Sequence, residues 1–375
     1  MTAFSSFHCV NELLDLDELY AAMNTLTELR IDHPRNVFDV PGAVSLLDEL
    51  TRRRSPLQRL HLSRLFVAEP GDAPTEVGEA IARLLRTAHV TSLTFIDHSY
   101  NCGSDCALAI FSGLNEAPPL VELNLRGNYF RDDGLDLAYF VKRNPSLLSV
   151  DLSSCLIEYK TCEIMVALAA QPALERLHLR SARALDAHDA HGVVFFIDNC
   201  RAARELDITS GWFESNSLLA SVFFALMENT TLLHFGVSVS SGKIDAHCTD
   251  AIVTCLANNT TLRSLALLSR SFTAVEDKRR FVHAVISNRN LLYINQIPRF
   301  EQEAPYRIAL GRNLQAFLVG VAMVLLVGGL PPYVCADIIQ RTKGFRAKDP
   351  HDIVDVVCRV QKSINSILAR RLATV

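Results

Sequence analysis

Leu120-Val-Glu-Leu123-Asn-Leu125-Arg-Gly-Asn128 is answered, 27 residues on, by Leu147-Leu-Ser-Val150-Asp-Leu152-Ser-Ser-Cys155. Both follow one line, L-x-x-L-x-L-x-x-N/C, with Val150 standing in for a leucine. Strict alternation across the middle of each line predicts a short strand with one buried face. Between the lines, Leu135, Leu137, Ala138, Phe140 and Val141 have the spacing of a short helix over 134–144. The Asn or Cys in ninth place has a mechanical task. Its side chain can hydrogen-bond backbone groups left open where the chain leaves the strand.

Working outward, the same line recurs ten times. The first anchors are Leu26, Leu57, Val90, Leu120, Leu147, Leu174, Ala203, Leu232, Leu262 and Leu291, so the step stays between 27 and 33 residues. Apolar stripes at helical spacing predict helices over 217–227, 249–257 and 277–287. Turns of one kind launch the strands that follow: Asn144-Pro-Ser-Leu147, Asn229-Thr-Thr-Leu232, Asn259-Thr-Thr-Leu262 and Asn288-Arg-Asn-Leu291. Asn suits such a helix end because it tolerates left-handed backbone.

A strand plus a helix at this period is the signature of a leucine-rich repeat. The step, the nine-residue line and the N-T-T-L turn resemble the ribonuclease-inhibitor type of that repeat over residues 26–299. The resemblance implies an α/β solenoid, a horseshoe with parallel strands inside and helices outside. It specifies a fold and not an activity. Only Asn128 fills the ninth place with Asn; later it becomes Ala182, Gly211, Ser240 and Arg270. The domain reading is therefore a helical cap over 1–25, the repeats over 26–299, and a helical C-terminal module over 300–375.

Composition sets limits on function. The 375 residues are 49% hydrophobic with a formal net charge of −4, so no charge excess points to nucleic acid. Residues 1–12 lack the basic start and apolar core of a secretory signal. Several of the ten cysteines, Cys155, Cys162 and Cys255, fall where a repeat wants a small buried residue, which predicts reduced thiols in a cytoplasmic, reducing compartment. Cys102 and Cys106 have no partner pair at zinc-finger spacing. No G-x-x-x-x-G-K-[ST] phosphate loop occurs. His188, Asp189 and His191 share what reads as a solvated loop, with no nucleophile beside them. No cofactor and no catalytic residue is expected.

The candidate surface follows from strand geometry. Residues between anchors point away from the helices. They give Glu122, Asn124 and Arg126, then Asp151, then Arg176, His178 and Arg180, then Glu205 and Asp207, a belt of mixed charge expected in solvent. One reading is cross-strand neutralisation alone; the other is a docking strip for a protein partner, where Arg often anchors. Farther on the same face turns neutral: His234, Gly236, Ser264, Ala266, Leu268 and Tyr293. A partner, or the chain's own C-terminal part, is expected to cover it. Trp212 follows the seventh strand at the rim, as a packed side chain or a partner anchor.

From 314 to 336 there is no charged residue. Its glycines and Pro331-Pro332 favour a lid on the last repeat over a membrane span. Leu330, Pro331, Val334 and Ile338 resemble the start of an F-box, which implies a Skp1-like subunit and a ubiquitin-ligase adaptor. A third reading is a structural component of a larger assembly. The first expectation is a non-enzymatic, protein-binding scaffold that engages neither nucleic acid nor membrane.

Overall fold

The computed structural model describes residues 6–10, 16–32, 38–67, 75–96, 109–110, 112, 119–128, 134–155, 160–180, 184–239, 243–268, 271–295 and 312–313. The chain divides into two compact units, 1–203 and 204–375. The C-terminal readings, lid and F-box-like residues Leu330, Pro331, Val334 and Ile338 alike, lie outside the described residues.

In the first unit seven strands form one parallel sheet in sequential order: β1 (Ser6–Val10), β2 (Glu28–Asp32), β3 (Arg59–Ser63), β4 (Ser92–Ile96), β5 (Glu122–Asn124), β6 (Ser149–Asp151) and β7 (Arg176–His178). The described helices are α1 (Leu16–Ala22), α2 (Val40–Arg52), α3 (Thr75–Thr87), α4 (Gly134–Arg143), α5 (Thr161–Ala169) and α6 (Ala187–Asn199). Strands joined in parallel need a crossover, and a right-handed one puts the helices on one face. The anchors meet them there: Leu29, Ile31, Leu60, Leu62, Leu93, Phe95, Leu123, Leu125 and Leu177 are buried. They pack with Leu46, Leu47 and Leu50 of α2 and Ile81, Leu84 and Leu85 of α3 in the core. Each such side chain contributes about 1.5–3 kcal/mol when fully removed from water.

One stretch departs from the sequence reading. Residues 1–25 were expected to be a helix, yet Ser6–Val10 pairs in parallel with β2, and the helix is confined to Leu16–Ala22. Phe7 and Cys9 fall in register with Leu29 and Ile31. Their period of two belongs to a strand, and Leu13, Leu16 and Tyr20 beyond it hid that alternation.

The second unit repeats the plan with β8 (Glu205–Phe213), β9 (His234–Val239), β10 (Ser264–Leu268) and β11 (Tyr293–Asn295), all parallel and sequential. Its crossovers are α7 (Asn216–Glu228), α8 (Ala246–Asn258) and α9 (Val275–Ser287). Side chains start these helices: Ser215 accepts from the Leu218 N–H and Asp245 from the Cys248 N–H. On the helix side, Phe223 of α7 meets Phe235 of β9 edge-on, ring centres 5.8 Å apart. Both units are thus built of α/β leucine-rich repeats, and all ten anchor lines lead into strands.

The helix ends correct a detail. Asn229, Asn259 and Asn288 have φ of −71°, −70° and −62°, extended and not left-handed. Their value lies in the side chain. Asn259 Oδ1 accepts the N–H groups of Thr261 and Leu262, while Nδ2 donates to the carbonyls of Leu226 and Asn229. Asn288 does likewise, toward Leu291 and back to Leu256 O. Asn259 and Asn288 each tie their own turn to the preceding repeat, and Asn229 Oδ1 accepts the N–H groups of Thr231 and Leu232 in its turn.

Candidate functional site

The ninth-place residues act as the line implies. Asn128 is fully buried and donates through Nδ2 to Phe95 O and Leu125 O, both at 2.6 Å. Cys155 stands one repeat later, and its Sγ donates to Leu125 O at 3.0 Å. Burial pushes the Cys155 thiol up to about 12. It is a packing residue, inert as a nucleophile. Cys248 and Cys255 are also pushed up to about 12 by burial, and Cys162 and Cys200 are raised by the same cause. All five are free thiols.

Away from the helices, the registers of the first unit assemble straight rows. One runs Glu28, Arg59, Ser92, Glu122, Ser149, Arg176; the next runs Arg30, His61, Thr94, Asn124, Asp151, His178. Sequence reading began this belt at Glu122. The structure extends it back to β2 and β3, and the same inter-anchor rule applied to Leu29-Arg30-Ile31 and Leu60-His61-Leu62 would have found those residues. The rows neutralise themselves in part: Arg30 to Asp32 at 3.0 Å, Arg59 to Glu28 at 3.9 Å, His178 to Asp151 at 4.0 Å, and Ser92 Oγ donating to Glu122 at 2.8 Å. The Arg59 side chain is still 68% exposed and Glu122 and Arg126 are exposed, whereas Arg176, His178 and Arg180 are half-buried.

Three belt residues have an internal task that the sequence reading missed. Asn124 accepts the N–H of Arg126, Asp151 that of Ser153, and Asp207 that of Thr209. These are side-chain-to-backbone turns two residues long, closing the strand end in three repeats. A short acceptor recurs there because the turn needs one.

Glu205 and Asp207, expected in solvent, are buried at 1% and 3% exposed. Asp207 also accepts from the Thr209 hydroxyl at 2.6 Å. Trp212 lies inside β8, in register with Ser238 after an irregularity, and not beyond the strand. The His188-Asp189-x-His191 stretch is no loop. It opens α6, where Asp189 is buried and closes a capping box with Asp186. Among the described residues no group of three His, Cys, Asp or Glu is placed to hold a metal, and no helix is long and apolar enough to cross a membrane.

No family model and no curated protein matches the chain. Among solved structures, actin-binding site 2 of leiomodin-1 is 16% identical with a TM-score of 0.31, over 48% of this chain and 90% of that one. An internalin (inlF) from Listeria monocytogenes is 12% identical with a TM-score of 0.40, over 79% of this chain and 88% of that one. The fold rests on the chain's own registers and anchor burial: it is an α/β leucine-rich-repeat solenoid.

Proposed function

We propose that this chain is a non-enzymatic scaffold of the ribonuclease-inhibitor type of repeat, working in a reducing cytoplasmic compartment. It docks a polypeptide on the helix-free face of its first unit. The observation that carries the reading is the pair of aligned polar rows across six strands, with Arg59, Glu122 and Arg126 standing exposed on or beside them. A rigid sheet presents these charges at fixed spacing, and exposed guanidinium groups steer and anchor a partner. The free, buried thiols support the compartment.

The test is a double charge reversal, Arg59→Glu with Arg126→Glu, in the full chain. Cross-linked partners are quantified by mass spectrometry for wild type and variant, alongside thermal melting. The expected result is an unchanged melt with at least one partner reduced about tenfold or more, the effect of losing roughly 1.4 kcal/mol of binding. An unchanged partner set refutes the docking belt.

A further inference from the structure

On the helix-free face of the first unit, the row through Arg59 alternates in length as well as in charge. From β3 to β7 it reads Arg59, Ser92, Glu122, Ser149, Arg176, one residue per strand in continuous register. Long side chains stand on β3, β5 and β7, and serines leave notches between them on β4 and β6. The two ends are cationic and the centre is anionic. Arg59 and Glu122 are exposed, and Arg176 is half-buried. Ser92 Oγ donates to Glu122 Oε2 at 2.8 Å, which steadies the central ridge through one of its two carboxylate oxygens. Arg59 approaches Glu28, on the strand away from the first notch, only at 3.9 Å. Asp151, two residues along β6 from Ser149, is turned back on the Ser153 N–H.

This spacing selects the conformation of what docks. Neighbouring strands lie about 4.8 Å apart, so two gaps, roughly 10 Å, separate Arg59 from Glu122 and Glu122 from Arg176. An extended chain rises about 3.3 Å per residue and covers that distance in three residues. Side chains three apart on a strand point to opposite faces, so an acid and a base so placed cannot both meet the sheet. An α-helix covers the distance in about seven residues, with a rise of roughly 10.5 Å. Its residues at i, i+3, i+4 and i+7 share one face. The side chain at i+3 or i+4 then falls over Ser92, and its equivalent one heptad later over Ser149.

We infer that the polypeptide taken by this face is an α-helix of about fifteen residues laid across β3 to β7. It carries an acidic residue over Arg59, a basic residue one heptad on over Glu122, and an acidic residue one heptad further over Arg176. Uncharged side chains between them enter the notches floored by Ser92 and Ser149. The inference rests on the docking reading and adds the partner's conformation, length and charge pattern. It also gives a reason for unlike charges on one face. A uniformly acidic segment is repelled at Glu122, and a uniformly basic one at Arg59 and Arg176. Selectivity is therefore set by the order of charges and not by their sum. Because acid-base-acid reads the same from either end, charge leaves the direction of the helix open.

Two fluorescein-labelled helical peptides of equal composition test it against the full chain by fluorescence anisotropy. One presents Glu, Lys and Glu at heptad steps along one face, and the other Lys, Glu and Lys, with compensating charges on the opposite face. The Glu-Lys-Glu peptide should bind at least tenfold more tightly. Arg59→Glu with Glu122→Arg keeps the net charge of the protein and should invert that preference with an unchanged melt. A proline at the solvent-facing centre of the Glu-Lys-Glu peptide breaks its helix and should weaken it at least tenfold. Equal binding of the two stripes, no binding by either, or undiminished binding of the proline peptide overturns the inference. Its failure is separable from that of the docking reading. If any of these results accompanies loss of a cross-linked partner in the Arg59 and Arg126 reversal, docking stands and the helix does not.

Discussion

Asn259 offers a sharp test of how the repeats are held together, because its neighbour Asn258 is a ready control. Asn259 is 4% exposed and makes four side-chain hydrogen bonds, two within its own turn and two to the preceding repeat. Replacing it by Ala orphans the Thr261 and Leu262 N–H groups and Asn229 O. Leu226 O keeps a donor, the Asn229 N–H at 3.2 Å. Three orphaned groups at about 1 kcal/mol each give a loss of roughly 3 kcal/mol. In a unit of this size that lowers the melting temperature by about 10 °C. Asn258 is exposed; its amide donates to Thr254 O within α8 and approaches Met227 Sδ at 3.8 Å. Asn258→Ala should move stability by less than about 0.5 kcal/mol. Urea unfolding followed by circular dichroism measures both. Equal shifts for the two variants would refute the idea that the buried amide, and not the helix end as such, clamps consecutive repeats.

Further outcomes are expected elsewhere. Leu123→Asp places a carboxylate in the first unit's core and should cost several kcal/mol, read as a collapsed melting transition; an unchanged melt contradicts the anchor assignment. Cys155, Cys248 and Cys255 should resist a thiol reagent at neutral pH until denaturant is added, and labelling of native protein at the rate of a free thiol refutes their burial. Because their folded values are raised from 9.0 to about 12, the stability they contribute is intact below pH 9 and is lost as pH climbs toward 12. Denaturant midpoints falling between pH 9 and 11 would show it, and a flat profile would contradict it. Asp151→Asn should keep the turn to Ser153 and its stability, while Asp151→Ala should lose about 1 kcal/mol in the same urea assay; equal losses would place the role in charge and not in the acceptor oxygen.

The repeat itself was legible because it is written in two independent periods at once. Leu123 and Leu125 announce a strand by alternation, and the recurrence of that pair every 27 to 33 residues announces the crossover between strands. Asn128 was legible for a related reason: a buried amide at a fixed distance from the last anchor has few uses besides satisfying the backbone. What sequence hid was of two kinds. Ser6–Val10 is short and stands outside the ten lines, so its alternation was read together with the helix that follows. The His188-Asp189-x-His191 stretch looked like a loop because three polar residues mask a helix start, whose marker is the reciprocal Asp186–Asp189 pair.

The belt shows why a surface is harder to read than a core. An inward position admits one explanation, packing, whereas an outward position admits several, and the residue type alone does not choose. Asn124, Asp151 and Asp207 share one place in the repeat and one hydrogen bond, so their recurrence is a demand of the turn. Arg59 and Arg126 share no such task, and exposure of their side chains gives the fold little reason to keep them. Weight for partner binding therefore shifts toward the arginines and Glu122, away from the acids that first drew attention.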